Sequence, residues 1–282
     1  MRLAFATDHH TRELTPEDRA LRTALTRDGH VVEPQVWSAT GIPWGDYQAV
    51  VIRSCWDYHL HTDSFLDWLE FLDDRAVRVI NPLGAIHWNI DKRYLQALAA
   101  GGVEIPETRW FDRGDTVDLD ALGWNEVVAK PVVGATAYAS TRLRAPWTDR
   151  ARAALEDLSA SSAFMVQKFL PEILICGEWS CVFIDGGYSH AVRKFATPGD
   201  FRVQSDFGGV TELAYPSPHI VEFARAALAT AGVQTVFARV DVVENEGHCR
   251  LMELELIEPQ LFLTGSESAT ERLAQAIAAA AG

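Results

Sequence analysis

The sequence predicts an α/β protein, α+β overall, folded as three lobes on a chain of 282 residues, a length that suits two or three packed units. Three observations carry this reading. Between Arg2 and Ile80, short apolar strands alternate with amphipathic helices, which implies a largely parallel sheet. From Glu107 to about Phe164 a second, smaller lobe surrounds the strand Glu126–Pro131. Farther on, Val236–Val243 and Arg250–Ile257 read as a hairpin closed by the turn residues Asn245, Glu246 and Gly247. The expected divisions are 1–88, 89–166 and 167–282.

Hydrophobic residues make up 48% and charged residues 23%, ordinary for a soluble globular protein. A net charge of -14 disfavours nucleic acid, because neutralising phosphates needs a basic face. Cys55, Cys176, Cys181 and Cys249 form no CxxC pair, so reduced thiols and a cytoplasmic location are expected. The apolar run at the N-terminus is interrupted by Asp8, His9 and His10 and is too short for a signal peptide. No stretch is long enough to enter a membrane as a helix.

In chain order, Arg2–Ala6 is a strand. Thr15 caps a helix whose first turn holds Pro16, Glu17 and Asp18, whose buried stripe is Ala20, Leu21, Ala24 and Leu25, and which Gly29 ends. Val31–Val36 and Gln48–Ile52 are strands, Asp63–Leu72 a helix and Val77–Ile80 a strand. Beyond the third strand stands Arg53-Ser54-Cys55-Trp56-Asp57-Tyr58, where open α/β sheets collect ligands. Arg53 would grip a substrate carboxylate and Asp57 an ammonium, or the two would pair structurally beneath Trp56. His59 and His61 are a weak metal signal. A helix from Trp88 to Ala100 carries Lys92 in its first turn. Lys130 ends the strand Glu126–Pro131, and Val132–Ala137 follows as a small-residue loop with Gly134, whose backbone N–H groups could approach phosphate oxygens. Phe164–Pro171 is an apolar strand, and another runs from Gly177 to Ile184. Tyr188–Lys194 ends in the basic pair Arg193-Lys194, and Gly199–Gly209 is a loop bearing Arg202 and Gly208-Gly209. Pro218–Ala231 is a helix, and the Ala-rich tail after Glu271 another.

In the hairpin, alternation puts Leu251, Glu253, Glu255 and Ile257 on one face and Met252, Leu254 and Leu256 on the other. Two carboxylates at neighbouring same-face positions repel unless a cation joins them, and hard oxygen donors suit Mg2+. Pairing the strands could add Asp241. The plain alternative is a solvent-facing acidic row.

Arg239-Val240-Asp241 followed by Glu253-Leu254-Glu255 and Pro259 resembles the metal-binding end of the ATP-grasp ligases, near bacterial glutathione synthetase and the D-alanine–D-alanine ligases. The resemblance covers roughly residues 85–270, with Glu255 where Asn is commoner. It implies that ATP is clamped between the second and third lobes. Asp241, Glu253 and Glu255 would hold Mg2+, two ions in all, with Mn2+ able to substitute. Lys92 and Lys130 would contact phosphates, and the loop around Gly134 would close over them. Gln167, Lys168, Phe169 and Leu170 would form the adenine hinge and Glu178 would meet the ribose, while Ser180 stands where glutathione synthetase has an Arg. Arg202 and Gly208-Gly209 match the segment at the substrate and γ-phosphate. Arg239 would stabilise the tetrahedral intermediate, within a basic core shared with Arg193, Lys194 and Arg202.

The implied reaction activates a carboxylate as an acylphosphate, which an amine attacks. Arg53-Ser54-Cys55-Trp56-Asp57-Tyr58 together with Glu253–Pro259 is similar to the short D-cycloserine synthetase subgroup, which closes O-ureido-D-serine on itself. Small-molecule carboxylate and amine substrates follow, and the family implies a homodimer or homotetramer. Intermolecular dipeptide or glutathione-type ligation is the alternative within that chemistry. An ATP-binding regulatory module without turnover is the alternative outside it.

Overall fold

Strand β1 (Arg2–Thr7) forms the middle of the first sheet, and Leu3, Ala4, Phe5 and Ala6 on it are wholly buried. A computed structural model describes the chain from Met1 to Gly282, Gly265 aside. Helix α1 (Pro16–Arg27) follows, capped by Thr15, whose hydroxyl accepts from the Asp18 N–H. Strands β2 (Val31–Val36) and β3 (Ala49–Ser54), helix α2 (Thr62–Asp74) and strand β4 (Val79–Ile80) complete a parallel sheet of order β2-β1-β3-β4. The expected parallel α/β lobe is thus present.

The helix expected from Trp88 to Ala100 is two helices, α3 (Leu83–Asn89) and α4 (Tyr94–Ala100), and Lys92 lies in the turn between them. The break has a cause. The Asn89 amide donates to Leu254 O at 2.8 Å and accepts from Leu256 N at 2.9 Å, while the Tyr94 hydroxyl accepts from Leu254 N. Those backbone groups belong to Leu254, near the end of an edge strand, and Leu256, just beyond it, and would otherwise stay unpaired.

The second sheet comprises β5 (Thr108–Phe111), β6 (Glu126–Pro131), β7 (Thr141–Arg144) and, after helix α5 (Asp149–Ser161), β8 (Phe164–Lys168), in the antiparallel order β5-β8-β6-β7. Val127, Ala129, Leu143, Leu155, Leu158, Phe164 and Val166 form its own core beneath α5.

The third part begins with helix α6 (Glu172–Cys176), then strands β9 (Glu178–Ile184), β10 (Gly187–Phe195) and β11 (Val210–Ala214), helix α7 (Pro218–Thr230), strands β12 (Phe237–Asn245) and β13 (His248–Glu255), and helix α8 (Glu267–Ala281). The sheet is antiparallel, ordered β11-β10-β9-β12-β13. The hairpin β12–β13 forms as expected, opposing Asp241 to Glu253 and Arg239 to Glu255. One detail differs. The pairing shifts between Asp241 and Val242, so Met252 is an extra residue on β13. Leu251 therefore packs with Leu254 and Leu256 in the helix-side core, and Met252 lies on the other side with Phe169 and Val203. The bulge keeps Glu253 and Glu255 facing the cavity while returning Leu251 to the core. Among the described residues no helix is long and apolar enough to cross a membrane, and the four cysteines are free thiols.

Candidate active site

A cavity of about 680 Å3 opens between the second and third sheets, with Trp56 and Tyr58 of the first lobe at its border. Its floor is a row of cross-strand pairs. Lys194 on β10 lies opposite Glu178 on β9, Ser180 on β9 opposite Asp241 on β12, and Asp241 opposite Glu253 on β13. Because side chains alternate along a strand, residues two apart share a face, so Glu178, Lys194, Asp241 and Glu253 line the cavity, while the wholly buried Ser180 bonds to Asp241 from beneath.

Asp241 is the hub. It accepts Arg239 Nε and Nη2, both at 3.0 Å, Lys194 Nζ at 3.2 Å and Ser180 Oγ at 2.6 Å. Burial pushes its carboxyl up, but Arg239 and Lys194 outweigh burial and hold it well below the usual carboxylate range. Lys194 Nζ also meets Glu178 at 2.6 Å. Burial nonetheless raises the Glu178 carboxyl. Arg239 reaches Glu255 as well, and its Nη1 donates to Gln260 O at 3.1 Å. Burial and the neighbouring Asp241 and Glu253 push Glu255 up to about 7, in spite of Arg239.

Lys92 joins floor to roof. Its Nζ lies 3.0 Å from Glu253 and donates to Gly134 O, while its backbone N–H donates to Val132 O at 2.8 Å. Glu253 is held down by Lys92 and Lys130 against the effect of burial. Lys130, at the end of β6, lines the cavity, and burial lowers its pKa. After it the loop from Val132 to Ser140 turns through left-handed backbone at Thr136, Ala137 and Ala139, with φ of 47°, 53° and 49°. Gly134 contributes no such angle. A Cβ there would sit 3.3 Å from Pro131 Cγ.

At the hinge, Gln167, Lys168, Phe169 and Leu170 all line the cavity. Gln167 Nε2 donates to Thr108 Oγ1 at 3.1 Å. The N–H groups of Lys168 and Phe169 already donate to Glu107 O and Glu126 O. Leu170 is left as the hinge amide without a protein acceptor among the described residues. The Lys168 ammonium faces outward to Glu107.

Other expected residues go elsewhere. Arg53 is 1% exposed and pairs with Asp18 at 2.7 Å and Glu17 at 3.0 Å inside the first lobe, away from the cavity. Its partner is not Asp57, which instead accepts Trp37 Nε1 at 2.7 Å. Arg193, next to cavity-facing Lys194, must point to the opposite face. There its Nε donates to Cys176 O, and the guanidinium lies by the rings of Trp179 and Phe195. It is therefore outside the expected basic core. Arg202 does line the cavity, clasped by Asp200 at 2.6 Å and stacked on Phe207. Gly208 turns at φ 79° beyond the wall, whereas Gly209 lines it, and a Cβ on Gly209 would strike Val203 O at 2.1 Å. His59 packs at a tilt against Tyr138 of the loop rather than pairing with His61. Glu258, given no role by sequence, lines the cavity at 8% exposure, and burial plus Glu255 push its carboxyl up to about 8.

Residues 3–81 match the family described as the N-terminal domain of D-cycloserine synthetase DcsG. The chain is 30% identical to the cycloserine biosynthesis protein DcsG of Streptomyces lavendulae, over 98% of this chain and 97% of that protein. The chain belongs to the DcsG family of ATP-grasp ligases. The crystal structure of D-cycloserine synthetase DcsG superposes with a TM-score of 0.91 at 29% identity, covering 100% of both chains. The ATP-grasp ligase PsnB, solved with a minimal precursor, Mg and ADP, shares the fold at a TM-score of 0.63 and 15% identity, with 99% and 98% of the two chains covered.

As a DcsG-family ligase the chain is an ATP-dependent enzyme, and its cavity has the donors for a nucleotide-bound metal. Among the described residues no three acidic, His or Cys side chains stand as a closed metal cluster. Arg239 and Lys92 sit between the acids and pair with them. The set still fits Mg2+. Its donors, Asp241, Glu253 and Glu255, are hard oxygens that outnumber Arg239 and Lys92 between them, and burial, with Asp241 and Glu253 adding to it, keeps Glu255 raised.

Proposed function

We propose that this ligase phosphorylates the carboxylate of a small amino-acid derivative with ATP, and that a nitrogen of the same molecule attacks the acylphosphate and closes a ring. The C–N bond forms as the C–O bond to phosphate breaks, and ADP and phosphate leave. Ring closure is preferred because the full-length relatives are named for D-cycloserine. One observation carries the chemistry: Lys92, Lys130, Arg239, Asp241, Glu253 and Glu255 all face one cavity between two sheets.

In this reading Asp241, Glu253 and Glu255 hold two Mg2+ ions, or Mn2+ in their place, which offset phosphate charge. Lys92 and Lys130 meet the phosphates, Leu170 N–H and the hinge around Gln167 the base, and Glu178 the ribose. Lys194 keeps Glu178 and Asp241 in position. Arg239 steadies the oxyanion and Arg202 the transferring phosphoryl group. The reading divides the chain into 1–88, 89–166 and 167–282, supported by three separate sheets, although β8 runs on to Lys168.

ADP and phosphate release from MgATP with a panel of L- and D-amino acids, O-ureido-serine included, tests this, with Glu253→Gln as control. Turnover on one substrate, lost in the variant, is expected, and product mass separates ring closure from intermolecular ligation. Nucleotide binding without turnover on any member would sink the reading.

A further inference from the structure

Among the described residues, every carboxylate on the cavity floor has a cation, except one. Asp241 and Glu255 have Arg239, Glu253 has Lys92, and Glu178 has Lys194. In the first lobe Glu17 and Asp18 are taken by Arg53, and Asp57 by Trp37. Glu258 is more than nine-tenths buried and lines the cavity, yet no side chain of the described residues donates to its carboxyl. Its position is built. Trp56 Nε1 donates to Glu258 O at 3.0 Å, anchoring the segment to the first lobe, and Pro259 stiffens the backbone behind it. Tyr58 and Trp56 line the cavity beside it.

A buried carboxylate without a partner is costly unless a ligand supplies the cation. We propose that Glu258 binds the ammonium of the substrate, with the aromatic faces of Trp56 and Tyr58 alongside, so that the enzyme selects carboxylates bearing a free α-amino group. This rests on the ligase reading above and replaces Asp57, which is already engaged. Glu258 would act on the substrate at the first-lobe end of the cavity, and the Asp241–Glu253–Glu255 group on the nucleotide.

The test compares binding of O-ureido-D-serine with that of its deamino analogue, 3-(ureidooxy)propanoate. Calorimetry is run on the full chain saturated with Mg2+ and a non-hydrolysable ATP analogue. The wild type should prefer the amine by at least roughly 10-fold, and Glu258→Gln should weaken the amine about 10- to 100-fold while leaving the analogue unchanged. Glu258→Asp, which keeps the charge, should retain the preference, and unchanged nucleotide affinity in both variants shows an intact site. Undiminished discrimination in Glu258→Gln overturns the assignment and leaves the ligase reading standing. So does a rise in the Mg2+ requirement with amine binding unaltered, which would make Glu258 a metal-side acid. If the wild type binds neither compound, the substrate reading itself fails and takes this inference with it.

Discussion

Two buried arginines, each between two carboxylates, do different work in this chain. Arg53 lies between Glu17 and Asp18 in the first lobe, and Arg239 lies between Asp241 and Glu255 on the cavity floor. Burial alone does not separate them, at 1% and 8% exposure. The difference is what surrounds the trio. Glu17 also accepts the N–H groups of Leu261 and Leu263, and Asp18 accepts the Ser54 hydroxyl, so the first cluster is closed to the cavity and ties the first lobe to the segment after Pro259, with Arg53 Nη1 left unbonded among the described residues. The Arg239 cluster opens on the cavity, beside Glu253, which Lys92 pairs, and Glu258, to which no side chain of the described residues donates. A closed ionic cluster holds a fold, whereas an open one with surplus charge awaits a ligand.

The largest effect should come from breaking the closed cluster. Arg53→Met leaves two buried carboxylates uncompensated and should cost about 3–5 kcal/mol of stability, read as a lowered melting temperature, with ADP release per folded molecule retained. Loss of turnover in a fully stable Arg53→Met would erase the distinction between the clusters. Next, Arg239→Gln should lower kcat about 100- to 1000-fold while shifting the melting temperature less than Arg53→Met does. Equal destabilisation by both variants would make Arg239 a structural residue.

The open cluster also carries a pH signature. Glu255 is raised from 4.5 to about 7 in the folded chain, chiefly by burial. The folded state therefore holds that proton more tightly than the unfolded one. Its contribution is complete below about pH 4.5 and is lost as pH rises through 7. The nucleotide-free protein should melt a few degrees lower at pH 8 than at pH 5.5 on this account. Glu255→Gln should flatten that part of the slope, as should saturating Mg2+ and ATP analogue. A slope identical in wild type and variant would remove Glu255 from the surplus.

Much of this was legible from residue order. The hairpin opposing Asp241 to Glu253 and Arg239 to Glu255 follows from strand alternation and a turn, because the pleat has a fixed period. Arg53 and Asp57 misled because a strand-end position looks alike whether its side chain meets a ligand or another element. Their actual partners, Asp18 and Trp37, are distant in sequence. The bulge at Met252 left no mark, since Leu251 and Met252 are both apolar and either could face the core. Glu258 did leave one, as the third acid of Glu253-Leu254-Glu255-Leu256-Ile257-Glu258. What alternation could not reveal is that a chain leaving the strand at Leu256 would still turn that third acid into the cavity.

The smallest effect concerns the roof, which can be altered without touching a charge. Thr136, Ala137 and Ala139 occupy left-handed backbone where glycine would sit without strain. A residue with a Cβ costs roughly 1–2 kcal/mol there, and glycine returns roughly 0.5–1 kcal/mol of that as unfolded-chain entropy. Ala137→Gly should therefore stabilise the chain by no more than about 1 kcal/mol, a rise of about 2–4 °C in melting temperature. The loop is already tethered to the floor through Lys92 and Gly134 O, so relieving the turn should leave the cavity's charges as they are. The KM for MgATP should then move less than about threefold while Lys92→Met, which cuts the tether and frees Glu253, raises it far more. If Ala137→Gly instead lowers the melting temperature, the left-handed turn is held by contacts of the alanine methyl. The roof would then join the closed cluster as structure rather than the open one as site.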